Sequence, residues 1–183
     1  NGLQSSEGNF IDGTGNFSFY VNSHKRFELS YKDGVGKETM WNASDQKYVE
    51  RNYKDDALVH RITFEYHNNG QISREKNWKD GKKNGKYTQW YGNGNIKSET
   101  NYKDGALVNR TTFKYYDNGK IKSEINYTDE KQVNRAMLFT DEVTGEKWVG
   151  NYKDGVPDGN WTGWDENGLQ SSEGNFIDGT GNF

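Results

Sequence analysis

Cysteine is absent from the 183 residues, which excludes disulfides, thiol nucleophiles and cysteine-bound metals and is compatible with either redox compartment. Proline occurs once, too rarely for a stiff Pro-rich linker. Leu, Ile, Val and Phe together number only 31, a shortage that taken alone points towards disorder. No apolar run approaches the ~20 residues of a membrane-spanning helix. An excess of one charge is also missing. Lys and Arg number 24 against 27 Asp and Glu, for a net charge of −3. They are intermixed and leave no basic stripe for nucleic-acid phosphates.

What is present reverses the reading of disorder. Aromatics make up 15% of the chain and recur in register. An aromatic followed two residues later by Asp stands at Phe10, Tyr31, Tyr53, Trp78, Tyr102, Tyr127, Tyr152 and Phe176, spaced by 21 to 25 residues. A period of this size marks a repeat array. The clearest copy, Gly85–Gly105, reads as an aromatic strand, a Gly-Asn-Gly-Asn turn, a second strand and a Lys-Asp-Gly turn. Asn-Gly recurs at Asn69-Gly70, Asn93-Gly94, Asn118-Gly119 and Asn167-Gly168, with Thr144-Gly145 in the equivalent place. Asn-Gly between alternating strands predicts a type I′ hairpin.

Alternation continues behind each turn. Ile96, Ser98, Thr100 and Tyr102 fall on one side, and Lys97, Glu99 and Asn101 on the other, predicting one apolar and one wet face. Asp80–Gly85 and Asp154–Gly159 read as open turns. Leu58–Arg61, Leu107–Arg110 and Gln132–Arg135 read as a turn variant whose Val packs on the aromatic face. The expected fold is all-β: an elongated, single-layer, twisted solenoid of about seven tandem antiparallel β-hairpins. It forms one continuous array over residues 1–183, divergent in 1–52 and regular in 53–166. Residues 167–183, NGLQSSEGNFIDGTGNF, repeat residues 1–17 without a difference and begin the next super-repeat. The chain opens on Asn1 in mid-motif, and the expectation is that a longer array surrounds it.

The pattern x-Asn-Gly-x-Ile-x-Ser-Glu-x-x-Tyr-Lys-Asp-Gly at residues 92–105, and again around 117–129, resembles the variant type of the MORN (membrane occupation and recognition nexus) repeat. Departures are Asp56 and Glu130 at the turn glycine, and Arg61, Arg110 and Arg135 at a later one. The resemblance implies a single-layer stack of hairpins. It also implies a role like those of bacterial antitoxin or immunity-type proteins, of surface proteins, or of scaffolds with lipid contact.

Candidate chemistry is thin. The turn aspartates Asp12, Asp33, Asp55, Asp80, Asp104, Asp129, Asp154 and Asp178 form a ladder that invites Ca²⁺. Calcium, however, needs several oxygens within about 2.3–2.6 Å, and Asp before Gly starts turns, so no metal site is expected. Glu7, Glu28, Glu50, Glu75, Glu99, Glu124 and Glu173 form a second ladder, read as cross-strand charge pairs on the wet face. His24, His60 and His67 share no metal spacing, and no nucleophile–base–acid order or phosphate loop is present. The expected catalytic, cofactor and metal sets are therefore empty.

Trp78, Trp90, Tyr102, Tyr115, Tyr127 and Trp164 are the candidate binding face, a stacking platform for cell-wall glycans; the competing reading makes them the core. The expected function is a non-enzymatic structural or adhesive segment of a long bacterial surface or filament-forming protein. It would self-associate end to end through open β-edges at an extracellular or cell-surface location. The alternatives are an antitoxin- or immunity-type protein-binding module and glycan binding. Neither nucleic acid nor a transmembrane segment is expected.

Overall fold

The computed structural model describes residues 3–128, 135–141, 143–153 and 156–182. Asp129, Glu130, Gln132, Val133, Asn134, Asp154 and Gly155, used in the repeat pattern above, lie outside the described residues. The chain is all-β, without a helix among the described residues. It forms two compact units, residues 1–87 and 88–183.

The first unit holds β1 (Gln4–Ile11), β2 (Thr14–Val21), β3 (His24–Lys32), β4 (Val35–Trp41), β5 (Lys47–Lys54), β6 (Ala57–Tyr66) and β7 (Ile72–Lys79). The divide falls inside β8 (Lys82–Trp90). The second unit continues with β9 (Ile96–Lys103), β10 (Ala106–Tyr115), β11 (Ile121–Thr128), β12 (Arg135–Thr140), β13 (Lys147–Lys153), β14 (Val156–Trp164), β15 (Gln170–Ile177) and β16 (Thr180–Asn182). Strands neighbour one another in chain order, as antiparallel hairpins in an open sheet.

The two turn types exchange the geometries that the sequence suggested. The Asp turns are two-residue turns with positive φ at both positions: Asp104 and Gly105 have φ of 51° and 91°, and Asp12 and Gly13 of 49° and 76°, and Asn22-Ser23 does the same at 51° and 64°. Asp56, in place of glycine, still adopts φ 61° after Asp55 at 49°. Asp tolerates the left-handed region because its short polar side chain bonds locally.

The Asn-Gly segments are longer loops in which glycine alone turns left-handed, as Gly94 does at φ 88°. Tyr91 N donates to Asn95 O at 2.8 Å, Gly94 N to Tyr91 O at 3.0 Å and Asn95 N to the Asn93 Oδ1 at 3.1 Å. This is a type I turn closed by a bulge glycine. Asn69, Asn93 and Asn118 contribute an acceptor rather than a positive φ, and in the Asn167-Gly168 loop the Asp165 Oδ1 accepts instead.

Bulges follow a rule as well. Behind the Asn-Gly loops one residue is left over in the pairing: Ser73 between the Tyr66↔Ile72 and Glu65↔Arg74 pairs, and Lys122 and Ser171 at matching places. Behind two of the Asp turns the extra residue is Val59 in β6 and Val108 in β10, whereas the Asp12 and Asp33 turns leave the pairing unbroken. Leu58–Arg61 and Leu107–Arg110 are thus strand rather than turn, as are Lys82–Gly85. The valine is the bulged residue, and Val108 stays exposed instead of packing on an aromatic face.

No thick core forms. Trp161, 6% exposed, is the one hydrophobic side chain among the described residues that is buried. The others buried are mostly small hydroxyls: Ser18, Thr39, Thr88, Ser98 and Thr100. Their size explains this, since a short side chain mid-strand is roofed by longer neighbours on both adjoining strands. They also occupy both sides of the sheet. In the second unit Ser98 Oγ bonds Gln89 Oε1 at 2.9 Å, which puts Thr88, one residue earlier, on the opposite side. The single apolar face predicted from alternation is therefore replaced by two mixed faces.

Candidate binding surfaces

The six candidate aromatics do not make one platform. In the second unit Tyr127 stands opposite Arg110, and Tyr102 follows Thr100, which also stands opposite Arg110. Both tyrosines share that side. Tyr115 is five residues from Arg110 on the same strand, and Trp90 is next to Gln89, so both point the other way. Trp164, three residues from Trp161, faces away from it. Trp78, in the first unit, stands opposite Arg61. The cause is parity: an odd number of residues separates the aromatic before the Asn-Gly loop from the aromatic side of the same strand.

Two of the six candidate rings are covered by arginines of their own sheet. Arg61 lies over Trp78 at 4.9 Å and Arg110 over Tyr127 at 4.4 Å. Each of these arginines sits two residues after a bulged Val, and a bulge of this kind re-aims the side chains beside it. Lysines do the same elsewhere: Lys25 over Tyr20 and Trp41, Lys47 over Phe64, Lys97 over Tyr91 and Lys122 over Tyr116, all within 6 Å. Charged side chains lay their methylene stems along aromatic surface while the head group remains wet. That is how a chain short of aliphatic residues covers its rings.

Carboxylates are committed in the same way. Glu50, 8% exposed, is paired to Lys47 at 2.5 Å and Lys37 at 3.2 Å. Burial alone would raise its pKa, but the two ammoniums outweigh it and hold the carboxyl below the ordinary glutamate range. Glu50 therefore departs from its expected place on a wet face. Glu28 pairs with Lys25 at 2.8 Å, and Glu7 accepts from the Tyr20 hydroxyl. The described turn aspartates Asp12, Asp33, Asp55, Asp80, Asp104 and Asp178 all take positive φ at turn starts.

One cluster escaped the sequence. His24 Nδ1 and Arg26 both lie 2.6 Å from the Asp45 carboxylate, and Arg26, with His24 beside it, lowers the Asp45 pKa. His24 opens β3 and Asp45 lies in the loop after β4; they are 21 residues apart, nearly one repeat. Repeat spacing was the signal available. His60 approaches Asn52 at 3.5 Å.

The edge of β1 is the remaining surface. Asn22 N donates to Leu3 O at 2.8 Å, and the β1–β2 register is unbroken from Gln4↔Val21 to Ile11↔Thr14. In an antiparallel pair the bonding direction alternates. The amides of Ser5, Glu7 and Asn9 thus point to β2, and those of Gln4, Ser6, Gly8 and Phe10 point outward.

Among the described residues no helix is long and apolar enough to cross a membrane. No curated protein matches the chain. The family model of the MORN repeat variant matches residues 62–80, 83–104 and 111–129, each a hairpin closed by an Asn-Gly loop. MORN repeats are generally non-catalytic modules that bind proteins or membranes. Within residues 62–129 the chain thus carries three tandem matches to the MORN repeat variant.

Proposed function

We propose that the chain is a non-enzymatic structural and adhesive segment of a long bacterial surface or filament-forming protein, joined to its neighbours through β-edges. One observation carries the reading. The sequence of β1, QSSEGNFI, is also that of β15, and β15 is paired on both sides, by β14 and β16. The same eight residues therefore accept a strand on the edge that β1 turns outward. An exposed strand edge is a template for further pairing. Glycan binding draws less support, because the candidate aromatics are divided between two faces and two of them, Trp78 and Tyr127, are covered by Arg61 and Arg110.

Sedimentation velocity over a concentration series tests the reading. Association should rise with concentration, and Ser6→Pro should weaken it by about tenfold or more, because proline removes an outward donor and spares the ladder to β2. Association that ignores Ser6→Pro, or a chain monomeric up to about millimolar concentration, would overturn it.

A further inference from the structure

We propose that β14 of one copy takes β1 of a second copy in place of its own β15. The proposal rests on the edge-pairing reading above and names both the partner and the way it enters. It follows from three matching registers. β14 meets β15 through Gly159↔Phe176, Trp161↔Gly174, Thr162↔Glu173 and Gly163↔Ser172. Behind β15, β16 pairs through Asn175↔Asn182, Phe176↔Gly181 and Ile177↔Thr180. At the other end, β1 and β2 pair through Asn9↔Asn16, Phe10↔Gly15 and Ile11↔Thr14. These are the same residues in the same register, shifted by 166 positions. The surface that β14 offers cannot distinguish them.

Packing is preserved in the exchange. Trp161 meets Phe176 at 5.9 Å, edge to face. Its ring stands on the backbone of Gly150, where a Cβ would fall 1.9 Å from it. An incoming β1 brings Gly8 opposite Trp161 and Phe10 to the position of Phe176. Phe10, 38% exposed, gains the cover that its twin already has.

The incoming strand arrives already extended, and the departing segment regains chain entropy. Because the surface on β14 and the strand presented by β1 lie on different parts of the chain, the contact is heterologous. It propagates head to tail unless the rotation closes a ring. Exchange also has to wait for β15 to leave, so association should be slow, in contrast to simple addition at an exposed edge.

Engineered cysteines test this without background, since the chain has none. Thr162→Cys combined with Glu7→Cys should give, on mild oxidation, a ladder of disulfide-linked oligomers that collapses on reduction. Thr162→Cys with Asn9→Cys, out of register, should give at least about tenfold less. Thr162→Cys with Glu173→Cys joins β14 to its own β15. Oxidised, it should abolish association; reduced, it should regain it, which also checks that the variant folds. Association that survives the oxidised lock would overturn strand exchange while leaving edge pairing in place. A ladder equally strong in the out-of-register pair would overturn the register. A chain that never associates removes both proposals.

Discussion

β1 and β15 are the same eight residues in two settings, and they end up differently. All eight positions of β1 are exposed, whereas in β15 Ser172, Gly174 and Phe176 are partly covered. The residues do not differ, so the cover comes from the neighbour, above all from Trp161 on β14. For these twin strands, burial belongs to the strand pair rather than to the residue. A repeat of this kind is finished only by the next one, as in other arrays where each unit leans on its neighbours.

The largest effect should come from removing that neighbour. Trp161 packs on Tyr152 at 5.2 Å and on Phe176, and its Nε1 donates to Asn151 O at 3.1 Å. Trp161→Ala should cost about 3–5 kcal/mol in denaturant unfolding and leave β15 as exposed as β1. Next comes the direct comparison of the twins. Phe176→Ala should cost about 2–3 kcal/mol, and Phe10→Ala less than about 1 kcal/mol. Equal losses would mean that the neighbour matters little.

The glutamates give a third pair, interior against edge. Glu50→Gln should cost about 1–2 kcal/mol, and Glu7→Gln on the exposed edge close to nothing. The pH dependence has a definite sign. The folded pKa of Glu50 is depressed, so its contribution is complete above the unfolded value of about 4.3 and is lost as pH falls through the lower folded value. Glu65, lowered first by Lys76 and then by Arg74, acts in the same direction. Acid titration of stability should flatten in Glu50→Gln.

The smallest difference is expected at the turns. Asp12 and Asp178 have φ of 49° and 46°, and the cost of that conformation is local. Asp12→Ala and Asp178→Ala should each cost about 1 kcal/mol, alike at the edge and inside.

The repeat, the hairpins and the strand directions were legible because aromatic-x-Asp and Asn-Gly recur at fixed spacing. The faces were not, because bulges at Val59, Ser73, Val108, Lys122 and Ser171 break simple alternation, and no residue type announces a bulge. The turn types were misassigned for a related reason: Asn-Gly suits both a two-residue I′ turn and a longer loop, and the length between paired strands decides. The roofing of rings by Arg61 and Arg110 was hidden in what looked like a missing glycine. The close approach of Trp161 to Gly150 came from the structure alone.

Residue-resolved amide exchange by NMR tests most directly whether neighbours decide the fate of these strands. In dilute solution the outward amides of Ser6 and Gly8 should exchange rapidly, while those of their twins Ser172 and Gly174, turned to β14, should be protected. As concentration rises, Ser6 and Gly8 should gain protection towards that of their twins. Ser6 and Gly8 amides that exchange rapidly at every concentration, while the chain nevertheless associates, would contradict the account.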